Sequence, residues 1–172
     1  NINSDQFIDL NSIHFSFEVH NEDTTNAVTF LAPTPHILWD RMIITIGGIT
    51  VEDFQYYNHT ECLFQTFLAR DKRKGNASLG FGWKSGTDEM EIWQAKAIPA
   101  YSYKRVVMKP HISGLFQGQN KYLPGFALGQ QGLQIQLHIA QTADIVQIGT
   151  GHSSTVAVRD LRVCCNTVMV NS

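Results

Sequence analysis

A chain of 172 residues with 43% hydrophobic content, including ten Phe, five Tyr and three Trp, carries enough apolar material for one folded domain spanning 1–172 and excludes a disordered polyelectrolyte. A formal charge of -2 and a pI near 6.4 exclude polyanion binding driven by net charge, so no specific nucleic-acid partner is expected. No apolar run is long enough to span a bilayer and no signal-peptide pattern precedes Asp5, so membrane insertion is not expected either.

The first clear element is a strand in which Ile13, Phe15, Phe17 and Val19 alternate with His14, Ser16, Glu18 and His20. Ala27 to Leu31 reads as a short second strand closed by Pro33 and Pro35. Met42, Ile44 and Ile46 then share one face of a third, and Gly47-Gly48 predicts a tight hairpin into Ile49 and Val51, with a bulge in one long strand as the alternative. Asn58 with Glu61 three residues on fits a capping box, and the recurrence of Leu63, Phe64, Phe67 and Leu68 predicts one short helix burying that face. The basic run Arg70 to Lys74, interrupted by Asp71, reads as a solvated turn after it.

Leu79 to Ala100 is a glycine-broken excursion, and Tyr101 to Met108 returns to strand character. Ile112 to Phe116 is a further strand candidate. Leu133, Ile135, Leu137 and Ile139 alternate as clearly as the first strand, Ile145 to Ile148 is weaker, and Thr155 to Val158 and Leu161 to Val170 complete the chain. About eight strands with one inserted helix predict an all-β fold of two packed antiparallel sheets. The expected core is Phe15, Phe17, Ile44, Ile46, Phe64, Phe67, Leu133, Ile135, Leu137 and Ile139.

The order of these features resembles the first jelly roll of double jelly-roll major capsid proteins, as found in large and medium-sized DNA viruses, virophages and Polinton-like elements. The resemblance rests on Phe7-Ile8-Asp9-Leu10, on Trp39 to Val51 with its Gly47-Gly48 turn, and on the helix containing Glu61 to Leu68. His111 to Phe116, Tyr122-Leu123-Pro124, Leu133 to Leu137 and Val158 to Val163 are similar to the closing strands. What it implies is a structural capsid protein of the virion, either a single jelly roll or the N-terminal half of a double one. It would self-associate as a homotrimer, meet other capsid proteins, use no cofactor and catalyse no reaction. Ser85 to Ala100 and Gly118 to Gly132 would supply contact loops, with Trp83, Trp93, Tyr101, Tyr103 and Phe126 as interface candidates. The alternative is a jelly-roll binding module that recognises a glycan or protein through the Trp83 to Tyr103 region.

Sharper chemistry finds little local support. His14 and His20 flank Glu18, and His138 lies on another strand, but no compact ligand motif joins them, so no metal is expected. His152-Ser153-Ser154 is the nearest nucleophile-like run, and its Gly/Ser turn setting explains it without catalysis. Gly125 to Gly132 lacks the Lys-Ser/Thr context of a phosphate loop. Cys62, Cys164 and Cys165, an odd number without dense spacing, read as free thiols. Asn58-His59-Thr60 and Asn76-Ala77-Ser78 match the glycosylation sequon, which matters only for a secreted chain.

Overall fold

The computed structural model describes residues 6–82, 95–117, 122–129 and 131–169. In chain order its elements are β1 (Gln6–Asn21), a 3-10 turn (Pro35–Leu38), β2 (Trp39–Ile46), β3 (Ile49–Gln55), α1 (Tyr57–Phe67), α2 (Arg70–Leu79), β4 (Tyr103–Met108), α3 (Gly114–Gln117), β5 (Tyr122–Pro124), a second 3-10 turn (Gly125–Leu128), β6 (Leu133–Ile139), α4 (Thr142–Ile145) and β7 (Val156–Met169).

β1 is the axis of the larger sheet. Its buried apolar side chains are Ile8, Leu10, Ile13, Phe15, Phe17 and Val19, alternation with one slip between Leu10 and Ile13. That slip coincides with a register shift against β7 between Asp9 and His14, where the Asn11 backbone N–H donates to Asp9 Oδ1 at 3.0 Å. A bulge there returns the apolar side chains to the inner face, as a period of two demands. β7 covers one edge of β1, while β4 pairs with Phe15 to His20 and β5 with Phe7 to Asp9 along the other.

The smaller sheet is antiparallel in the order β3-β2-β6. Gly47 (φ 58°) and Gly48 (φ 86°) make the β2–β3 turn, a backbone that glycine adopts without Cβ strain. Between the sheets Phe17 meets Trp39 edge to face at 5.3 Å, and Phe30 stacks on Phe81 at 4.1 Å.

Several expectations are corrected. The molecule has four α-helices among its described residues and two separate sheets, so it is a mixed α/β fold rather than an all-β eight-stranded jelly roll with one short helix. Arg70–Leu79 is helical rather than a turn, and Gly114–Gln117 is helical rather than extended. Ala27 to Leu31 makes only isolated bridges, through Ala27, Val28 and Phe30. The helix content, the sheet arrangement and a buried His/Glu/His cluster overturn the resemblance to a capsid jelly roll, and with it the shell-building reading.

The core list also changes. Phe15, Phe17 and Ile44 are buried and Ile46 is half-buried. Leu133, Ile135 and Leu137 pack half-buried against the core, but Ile139, the last residue of β6 and beyond the register shift between Trp39 and Arg41, is exposed. Phe64 and Phe67 are 54% and 76% exposed. The inward face of α1 is instead Tyr57, Asn58, Glu61 and Gln65, and no side chain caps its start at Tyr56. A helix turns a polar stripe inward when that stripe finds partners, and here Asn58, Glu61 and Gln65 each make hydrogen bonds.

Candidate metal centre

Among the described residues, one group of three potential ligand side chains converges: His36, Glu61 and His111, whose ligating atoms all lie within 4.8 Å of one another. They come from the first 3-10 turn, from α1 and from the segment before α3.

His36 is fixed by its neighbours. Pro35 starts the 3-10 turn, where a missing N–H costs nothing. Gly80 packs so closely below it that a Cβ would lie 2.6 Å from Pro35 Cδ and 2.7 Å from the Pro33 carbonyl oxygen. His36 Nε2 donates to the Lys109 carbonyl at 2.7 Å, which leaves Nδ1 to accept from the Thr34 hydroxyl. The ring is buried, and burial above all holds its pKa below the usual value, against the opposing pull of Glu61. Burial thus favours the neutral imidazole, the form a metal requires.

Glu61 is fully buried. Burial alone would raise its pKa, yet the His111 hydrogen bond, the His36 and His111 rings and Gln65 together hold it below the ordinary carboxylate value. Oε1 accepts from His111 Nδ1 at 2.8 Å and from Gln65 Nε2 at 3.1 Å, and stands 3.6 Å from His36 Nε2. Among the described residues Oε2 has no partner, and neither does the Tyr57 hydroxyl one turn earlier, itself fully buried. A buried carboxylate oxygen without a partner costs free energy unless a cation or water meets it.

His111 is one-third exposed and closes the group from the solvent side. Glu52 on β3 anchors the segment that follows, accepting from Ser113 Oγ and, at 2.8 Å, from the Leu115 backbone N–H. The His36 and His111 rings lie 5.4 Å apart. Glu61 and His111 form the floor of a cleft of about 430 Å³ whose walls include Phe54, Phe64, Leu68 and Ile112. Cys62, next in sequence, is not part of the group; burial and then the adjacent Glu61 charge push its thiol up to about 12.

The residues singled out in the sequence lie elsewhere. His14 Nδ1 donates to the Ser12 carbonyl. His20 bonds Glu18 at 3.0 Å and stacks on Tyr103, and Glu18 also holds Arg105. His138 sits on β6 in the other sheet. Ser153 is buried and donates to Asn21 Oδ1 at 2.8 Å, while its own oxygen accepts from the Thr155 N–H; it is a tie between loops rather than a nucleophile beside a base. Tyr101, Tyr103 and Phe126 are exposed, whereas Trp83 and Trp93 lie outside the described residues. Asn58 is buried in α1, so its sequon is closed in the folded chain.

Comparison with family models, curated proteins and solved structures finds no match to this chain. The assignment of chemistry thus rests on the cluster, which argues against the expectation of a chain without catalytic or ligand-binding chemistry and against a simple binding module.

Proposed function

We propose that this chain is a metal-binding domain holding one zinc-type transition-metal ion through His36 Nε2, the Glu61 carboxylate and His111 Nδ1, with a coordination position left for a ligand in the cleft. The observation that carries the reading is the fully buried Glu61 carboxylate, one oxygen without a partner among the described residues, between two imidazoles within ligating distance. Two His and one Glu form a donor set that suits zinc, and sites with three protein ligands keep a fourth position for water or substrate. An ion held there would supply Lewis acidity at the cleft floor.

The protein's own part is to orient and to exclude water. Ligation through His36 Nε2 would require its proton to move to Nδ1, which would then donate to Thr34 Oγ1 while the bond to the Lys109 carbonyl is given up; ligation through His111 Nδ1 would likewise require the proton it shares with Glu61 Oε1 to move to Nε2. Gln65 donates to Glu61 and accepts from Asn76 Nδ2 at 3.1 Å, so α2 braces the carboxylate.

Full-length protein stripped with a chelator and titrated with zinc will bind one ion per chain. His36→Ala and His111→Ala will each weaken binding by at least about 100-fold, more than loss of a supporting group does, and His14→Ala will leave it unchanged. Failure of the parent chain to bind zinc at micromolar concentration overturns the proposal and leaves the cluster as a hydrogen-bonded tie.

A further inference from the structure

The cleft above Glu61 and His111 has a composition that selects its occupant. Phe54, Phe64, Leu68 and Ile112 supply apolar wall, and the remaining lining is Thr60, Gln65 and Gln117, neutral hydrogen-bonding groups. Among the described residues no Lys or Arg lines it, so none of those side chains neutralises a multiply charged ligand such as a phosphate monoester. Its volume of about 430 Å³ falls within the range of small-molecule sites.

Phe64 is the informative wall. It is 54% exposed on α1, stands edge to face with Phe67 at 6.5 Å, and contributes little to the core although its sequence pattern suits burial. An aromatic ring beside a polar floor provides a surface for an apolar body whose polar end points inward.

We propose that the cleft takes a small ligand with one neutral or singly charged oxygen donor on an apolar, preferably aromatic body: an acyl, amide or monocarboxylate group whose oxygen completes the metal's coordination while the body lies between Phe64, Leu68 and Ile112. This rests on the metal-site reading above and adds the ligand class to it. The side chains divide the work by position. The oxygen meets the ion over Glu61 and His111, the amides of Gln65 and Gln117 serve the linking polar atoms, and the body displaces water from the phenylalanine wall.

The test uses the full chain loaded with Co(II) in place of zinc, whose visible absorption reports the coordination sphere, and compares 3-phenylpropionohydroxamate, acetohydroxamate and inorganic phosphate. The phenyl compound is expected to bind at least about tenfold more tightly than acetohydroxamate, the gain from burying one ring in part. Phosphate is expected to bind more weakly than either hydroxamate. In Phe64→Ser and Leu68→Ser the phenyl preference is expected to fall to about twofold or less, with the Co(II) spectrum of the ligand-free variants unchanged. Because both substitutions lie on the cleft wall, a thermal melt checks that they fold. Equal binding of the two hydroxamates, preference for phosphate, or a phenyl preference that survives both substitutions overturns the ligand class while leaving the metal site standing. Absence of any Co(II) spectrum in the parent chain removes the metal site and this inference together.

Discussion

Replacing Glu61 with Gln separates the charge of the central carboxylate from its shape. In the metal-free protein the change converts two charge-assisted hydrogen bonds, from His111 and Gln65, into neutral ones, which costs on the order of 1–3 kcal/mol in all. Against that, a fully buried charge no longer has to be desolvated, a relief of several kcal/mol before its partners are counted. The two nearly cancel, so the metal-free variant should melt within about 3 °C of the parent, given roughly 2–4 °C per kcal/mol for a domain of this size.

Zinc separates the two proteins. At a zinc concentration about 100 times the parent's Kd, binding stabilises the parent by about 2.7 kcal/mol, while a variant with Kd raised about 100-fold gains only about 0.4 kcal/mol. The parent's Tm should therefore rise by about 5–10 °C on adding zinc and the variant's by about 1–2 °C. The assay is a pair of calorimetric scans on each protein, chelated and zinc-saturated. Equal zinc-induced shifts would show that Glu61 is not a ligand, and no shift in the parent would show that there is no site.

Phe17→Ala, which removes a fully buried ring packed on Trp39, should cost about 3–5 kcal/mol in a denaturant melt, while Phe64→Ala should cost under about 1 kcal/mol because its ring is half in solvent; equal losses would contradict the inward face assigned to α1. The Asp23 carboxyl is held at about 2, against an ordinary 3.8, by the backbone N–H groups of Thr25 and Asn26 and by the Thr25 hydroxyl. Its lowered pKa makes its contribution complete above pH ~4 and lost as pH falls from there towards 2, so the Tm gap between parent and Asp23→Ala should narrow across that window, and a gap constant with pH would refute the assignment. Gly80→Ala should destabilise the chain by about 1–3 kcal/mol, since its Cβ meets Pro35 and the Pro33 carbonyl. By contrast Gly75→Ala, inside α2 with nothing within 4 Å, should stabilise it by about 0.5–1 kcal/mol, read in the same melts.

The strands of β1 and β2 and the turn at Gly47-Gly48 were legible because alternation and a glycine pair are local signals whose physics does not depend on the rest of the chain. The face of α1 was not legible. Two stripes compete there, an apolar one through Phe64 and Phe67 and a polar one through Tyr57, Glu61 and Gln65, and hydropathy favours the first. The second is buried because His36, His111 and Asn76, from three other segments, meet it with complementary groups. For the same reason the candidate site left no spacing motif: its residues stand 25 and 50 positions apart on unrelated elements. The one available hint was His36 between Pro35 and an apolar run, a polar side chain where the chain is stiff and inward-facing. α2 was missed because Gly75 and a run of like charges argue against a helix, and its inner contacts, Ala77 buried and Asn76 bonded to Gln65, outweigh that local preference.

The sixteen-residue axis strand imposes an order on assembly. β1 precedes all its partners in the chain, so both of its edges stay open until Tyr103–Met108 and then Val156–Met169 have been made. Such pairings, far apart along the chain, close large loops before any contact repays the entropy, so folding should be slow for a domain of this length and the unsatisfied strand open to wrong partners in the meantime.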